Sequence, residues 1–266
     1  METKSPELEI AIKAALEAGK ILEKYFETEI SRTVKEDKSI LTKVDQEAEE
    51  TIKKIILEAF PKHSILGEET GMTENGNEYL WYIDPIDGTR NFANHIPLFA
   101  VSIALLHKGS LFLGVVYNPA TDSLFYGESG KGAYLNDNRI LVSKDDASHS
   151  MITVSRGKNN PDERLFRELL HDFPKKIVPS VRDLGCASLD LSYVACGGFE
   201  ADIQLGLKVY DFAAGILLIQ EAGGKITTLD GGPWKFPDNH FIASNGVFHD
   251  ILVEEIKNQK AKLGIE

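Results

Sequence analysis

The chain has 266 residues, 42% hydrophobic and 26% charged, the composition of an ordinary globular protein long enough to bury a substantial core. A formal net charge of -12, from 41 acidic and 29 basic residues, excludes a broad nucleic-acid footprint, so any affinity for phosphate has to come through metal ions. No apolar window is long enough for a membrane span, and Met1 to Glu9 lacks the basic-then-apolar pattern of a secretion signal, so a cytoplasmic protein without membrane contact is expected.

Ser5-Pro6-Glu7 opens the first predicted helix, with a capping hydroxyl, Pro at the first helical position and an acid in the first turn. Leu8, Ile12, Leu16, Gly19, Leu22 and Phe26 mark one face of it. A second helix is predicted from Asp45 to Phe60, with Ala48, Ile52, Ile55, Ile56 and Ala59 apolar and Pro61 as the stop. Short strands follow at Ser64 to Leu66 and Tyr79 to Ile83. Phe99 to Leu105 and Leu111 to Tyr117 flank a His107-Lys108-Gly109 turn and read as a hairpin. With strands at Ser123 to Tyr126 and Ala133 to Leu135, the first half is expected to hold a mainly antiparallel sheet.

Beyond Met151 the pattern changes: helical periodicity at Arg164 to His171, Ala187 to Ala195 and Phe212 to Ala222 alternates with strands near Met151, Ala201, Lys225 and Phe241. A terminal helix runs from Phe248 to about Lys262. Two packed α/β halves are expected, 1–147 and 148–266. Cys186 and Cys196, among small and apolar neighbours, read as two buried thiols rather than a disulfide or zinc pair.

The stretch Trp81-Tyr82-Ile83-Asp84-Pro85-Ile86-Asp87-Gly88-Thr89 carries the chemistry. Pro85 is expected to end the strand and Gly88 to free the turn, so Asp84 and Asp87 emerge together at one strand mouth. Hard divalent cations such as Mg²⁺ take oxygen ligands of this kind, together with substrate phosphate. A plain turn, with both acids bonded to nearby amides, is the alternative. Glu68 and Glu69, at the end of another apolar segment, could join the pair or simply be solvated. Asp211 and Asp45 each start a helix, where an acid serves equally well as a cap.

Together these segments resemble the inositol monophosphatase family of Mg²⁺-dependent, lithium-sensitive sugar-phosphate phosphatases. The resemblance rests on Leu41-Thr42-Lys43-Val44-Asp45, Gly67-Glu68-Glu69, Asp84 to Phe92, Gly114-Val115-Val116-Tyr117-Asn118-Pro119, Gly185 to Asp190, and Tyr210 to Gly215 with Glu221 to Gly224. It implies an α/β (α+β) fold, a layered αβαβα sandwich of two packed halves, commonly a homodimer. It implies a first Mg²⁺ on Glu68, Asp84 and the carbonyl of Ile86, a second on Asp84, Asp87 and Asp211, and a third, weaker ion near Glu68. Thr89 would orient the attacking water, backed by Asp45, and the amides of Asp87, Gly88 and Thr89 would cradle phosphate. The rest of the substrate would meet Gly185, Cys186, Ala187 and Gln204.

The expected activity is hydrolysis of a small phosphate monoester, most simply inositol 1-phosphate. Three departures turn toward other substrates. Gln204 stands where the family carries an acid, Ser39 where inositol phosphatases carry an Asp, and Tyr210 where Trp is commoner. Histidinol phosphate, fructose 1,6-bisphosphate and adenosine 3',5'-bisphosphate are the alternatives, and a regulatory protein-binding relative of the same fold is the alternative from another class. His95, His107 and His171 are read as solvated side chains rather than general acids.

Overall fold

Ser5 caps the first helix as its sequence context demands, its hydroxyl accepting the Leu8 amide at 3.2 Å ahead of α1 (Pro6–Phe26). The computed structural model describes residues 3–26, 32–34, 40–76, 78–157 and 163–265. After α1 come β1 (Arg32–Val34), β2 (Ile40–Thr42), α2 (Lys43–Ala59), β3 (Ser64–Gly67), β4 (Gly71–Thr73), β5 (Tyr79–Asp87), α3 (Thr89–Ala93), β6 (Ala100–His107), β7 (Ser110–Asn118), β8 (Ser123–Glu128), β9 (Gly132–Leu135) and β10 (Asn138–Ile140). Then follow β11 (Met151–Arg156), α4 (Glu163–Lys176), β12 (Ser180–Arg182), α5 (Ala187–Ala195), β13 (Ala201–Leu205), α6 (Val209–Glu221), β14 (Lys225–Thr228), β15 (His240–Ser244) and α7 (His249–Leu263).

Strands up to Ile140 form an eight-stranded sheet in the order β10-β9-β8-β7-β6-β5-β3-β4, antiparallel except where β3 runs parallel to β5. Strands from Met151 onward form a mixed five-stranded sheet, β12-β11-β13-β15-β14. Helices α1 and α2 pack on the outer face of the first sheet, α5 and α6 lie between the sheets, and α4 and α7 cover the outer face of the second. The layers are therefore αβαβα, as the resemblance implies. Three hydrophobic clusters fill the seams, centred on Trp81 and Ile83, on Phe212 and Phe241, and on Phe173 and Leu252.

Several expectations are corrected by the packing. Ile12 and Leu16 are only half-buried, and the buried stripe of α1 is Leu8, Ala11, Ala14, Ala15, Ala18, Gly19 and Leu22, because small side chains let this helix lie close on α2 and the sheet. On α2 the buried face includes Asp45 and Glu49 beside Ala48, Ile52 and Ile56, while Ile55 is half-buried. Pro85 does not end its strand. Asp84 pairs with Ser102 and Asp87 with Ala100, so Pro85 and Ile86 bulge out opposite a single residue and the ladder resumes beyond them. Cys196 is half-buried rather than buried, and both thiols are free. Lys35 to Ser39, which holds the Ser39 departure, lies outside the described residues.

Candidate active site

The first sheet brings Glu68 and Asp84 together by register alone. Gly67 sits beside Ile83 in the parallel β3–β5 pair, the Glu68 amide donates to the Ile83 carbonyl at 3.0 Å, and the next residue on each strand emerges at the same edge. On the other side of β5, Ser102 is the register partner of Asp84, and its hydroxyl donates to the Tyr210 carbonyl at 3.1 Å. That bond brings the first turn of α6, and so Asp211, against Asp84. Gly114 on β7 permits the approach, since a Cβ there would stand 2.7 Å from the Ala214 carbonyl oxygen.

Asp84 is 2% exposed, with the carboxyls of Glu68, Asp87 and Asp211 close enough to perturb it. Its Oδ1 also accepts the Ile86 amide at 3.0 Å. Burial first, then the carboxylates of Glu68, Asp87 and Asp211, push its carboxyl well above the usual range. Asp211 is raised well above its ordinary value by burial and by Asp87 and Glu68, although its Oδ2 accepts the Lys208 amide at 2.9 Å. Asp211 is thus a helix cap and a member of the acid cluster at once.

Asp87 is held from the second half of the molecule. Its Oδ2 accepts the Ser188 amide at 2.6 Å, in the first turn of α5, and the Cys186 thiol at 3.3 Å. Burial raises the Asp87 carboxyl, and the Ser188 amide opposes the rise. Burial, followed by the Asp87 charge, pushes the Cys186 thiol well up, so it stays protonated as a donor. Gly88 has φ +85°, and a Cβ there would press 2.8 Å from the Leu98 carbonyl oxygen, so glycine is needed for both conformation and space. Thr89 opens α3, and its hydroxyl donates to the Ile86 carbonyl at 3.0 Å. Asp45 is buried in the first turn of α2.

The expected substrate contacts divide. Gly185 is exposed, Cys186 and Ala187 are buried beneath it, and Gln204 is 0% exposed on β13, between β11 and β15 and under α5. Gln204 therefore does not face solvent. Its Nε2 donates to Asp202, whose other oxygen accepts Thr153 at 2.7 Å, while Asp190 accepts Ser155 at 2.7 Å. Asp190 and Asp202 were given no role in the sequence, where polar and apolar residues alternate around each of them. Period-2 placement of Asp202 and Gln204 on one face of a strand was the available signal. Arg90, Arg182 and Lys208 are exposed, as are His95 and His171, and half-buried His107 stacks on Tyr79 at 4.4 Å.

A scan of family models matches residues 3–261 to the inositol monophosphatase family. The chain belongs to the inositol monophosphatase family. A fructose-1,6-bisphosphatase/inositol-1-monophosphatase of Aquifex aeolicus is 37% identical, with 97% of each chain covered. A Nus factor SuhB of Pseudomonas aeruginosa is 39% identical over 90% of this chain and 92% of that protein. The crystal structure of an extragenic suppressor protein suhB from Bartonella henselae superposes with a TM-score of 0.89 at 33% identity, covering 95% of this chain and 99% of the other. Members of the inositol monophosphatase family hydrolyse small phosphate monoesters, and this chain is a phosphoric monoester hydrolase of that type.

The residues fit the family's association with Mg²⁺. Among the described residues no three His, Cys, Asp or Glu side chains are disposed around one common point for an ion. Their chemistry nonetheless suits a hard cation: four acids and the Ile86 carbonyl supply oxygen only, and the mutual repulsion that raises Asp84 and Asp211 is what a cation relieves.

Proposed function

We propose that the protein hydrolyses inositol 1-phosphate or a closely similar sugar phosphate with Mg²⁺. The reading is carried by the convergence on buried Asp84 of Glu68, brought by the β3–β5 register, and of Asp211, brought by the bond from Ser102 to the start of α6. Glu68, Asp84 and the Ile86 carbonyl would hold one ion, Asp84, Asp87 and Asp211 a second, and Glu68 a third, weaker one. When bound, the ions supply positive charge to the phosphate and lower the pKa of the attacking water.

The chain's own groups do the rest. Thr89, whose proton goes to the Ile86 carbonyl, would orient the water by accepting through its hydroxyl oxygen, and a bond from Thr89 to Asp45 would require that proton to turn away from Ile86. The amides of Asp87, Gly88 and Thr89 present donors to phosphate oxygens, and Gly88 leaves the approach open. Gly185 offers the exposed edge to the remainder of the substrate. Cys186 and Ser188 fix the Asp87 carboxylate so that its other oxygen is directed to the site.

The name of the Aquifex relative makes fructose 1,6-bisphosphate the first alternative substrate, ahead of histidinol phosphate. A regulatory, protein-binding role is favoured separately by the identity to a protein named as a Nus factor. Phosphate release from inositol 1-phosphate, fructose 1,6-bisphosphate, histidinol phosphate and adenosine 3',5'-bisphosphate, with Mg²⁺ and then EDTA, tests the proposal. Metal-dependent release from inositol 1-phosphate supports it. Release from another ester alone moves the substrate, and release that survives EDTA removes the metal from the reaction.

A further inference from the structure

Glu49 lies one helical turn after Asp45 on the buried face of α2 and is 0% exposed. Its carboxylate is spent on the segment that follows Glu68. Oε2 accepts the Glu69 amide at 2.7 Å, and Oε1 accepts the Thr70 amide at 3.0 Å and the Thr70 hydroxyl as well. Gly67 completes the contact, because a Cβ there would overlap the Glu49 carboxylate. On the preceding side the Glu68 amide is already bound to the Ile83 carbonyl. The backbone of Glu68 is therefore pinned from both directions, by β5 before it and by Glu49 after it.

We infer that Glu49 is a positioning residue for the metal site: its carboxylate clamps the Gly67 to Thr70 turn and so sets where the Glu68 side chain is presented. This rests on Glu68 being a metal ligand, as proposed above. Two successive backbone amides and a hydroxyl converge on one group, and only an ionised carboxylate offers two acceptor oxygens with no donor of its own. Glutamine, of nearly the same shape, would turn an NH₂ toward one of those donors inside a buried site. Asp45 lies one turn earlier on the same buried face of α2.

The test compares Glu49→Gln, Thr70→Val and Glu68→Gln with the wild-type protein by calorimetric titration of Mg²⁺, amide hydrogen exchange and steady-state kinetics. Glu49→Gln is expected to weaken Mg²⁺ binding about tenfold or more, the usual scale for groups that orient a metal ligand. Exchange of the Glu69 and Thr70 amides should quicken while the Ile86 amide, held by Asp84, keeps its rate. At saturating Mg²⁺ the substrate KM should stay within about twofold, since Glu49 touches no substrate. Thr70→Val removes one donor and leaves both amides, so a smaller weakening of the same kind is expected, and it serves if Glu49→Gln does not fold. Wild-type Mg²⁺ affinity and wild-type exchange in the folded variants would overturn the clamp. Wild-type Mg²⁺ affinity in Glu68→Gln would instead overturn the ligand assignment on which the clamp depends.

Discussion

His249 sits at the start of α7, 1% exposed, between two hydroxyls whose own bonds settle its tautomer. The Thr227 hydroxyl donates to the Thr228 carbonyl at 2.8 Å, so toward His249 Nε2, also 2.8 Å away, it can only accept. Nε2 therefore carries the proton. Nδ1 accepts from Ser244 at 2.7 Å, and that hydroxyl's oxygen in turn accepts the Gly246 amide at 3.1 Å. A second ring proton would point at Ser244 and break this chain of donors. Burial, aided by the Lys225 charge, lowers the pKa from 6.5 to about 4.

Above pH 6.5 the ring is neutral in the folded and unfolded chain, and the low value carries no cost. As pH falls from 6.5 toward 4, the unfolded chain takes up a proton that the folded protein refuses, so stability declines; below about 4 both are charged and the decline stops. The gap corresponds to a ceiling of about 3 kcal/mol. Urea unfolding of wild type and His249→Gln between pH 7.5 and 4 measures it. The wild type should lose up to about 3 kcal/mol more than the variant over that window, and NMR should show a neutral Nε2–H imidazole at pH 5. Parallel stability curves, or a ring that titrates near 6.5, would refute the burial and tautomer reasoning.

Asp87→Asn is expected to keep the fold, because an amide oxygen can still accept from Ser188, and to lower phosphate release by at least about a hundredfold, the scale of a few kcal/mol of lost charge stabilisation. Steady-state assays with a far-ultraviolet dichroism control decide it, and full Mg²⁺-dependent turnover would refute the site assignment. Gly114→Ala drives a methyl into the backbone of Ala214, 2.7 Å from its oxygen and 2.9 Å from its Cα. Overpacking of this kind costs about 1–3 kcal/mol. Both Tm and turnover should fall, since α6 carries Asp211, and an unchanged Tm would show that the helix has slack to give.

Much of the architecture was legible because local chemistry and tertiary packing agree. Ser5-Pro6-Glu7 marks where α1 begins, α5 spans the Ala187 to Ala195 run read from periodicity, and the hairpin around Lys108-Gly109 follows from turn residues between apolar strands. Short elements such as β4, β10, β12 and α3 were not legible, because three to five residues hold too little pattern to outweigh propensity.

The acids themselves were also readable, not singly, since a turn, a surface or a helix cap accounts for each, but through the ordered set of motifs in which Asp84, Asp87, Glu68 and Asp211 stand. Which of them meet was a tertiary matter. Glu68 joins Asp84 only because β3 and β5 run parallel in register, and Asp211 only because Ser102 anchors α6. Glu49 carried no role in the sequence, Asp190 stood only as the end of a motif, and Gln204 read as a substrate contact, because a sequence records side-chain chemistry and not the partners that make burial tolerable. A charged or polar group can be buried only where donors converge on it, and amides and hydroxyls distant in the chain, such as Thr70 for Glu49 and Ser155 for Asp190, reach it only once the layers have packed.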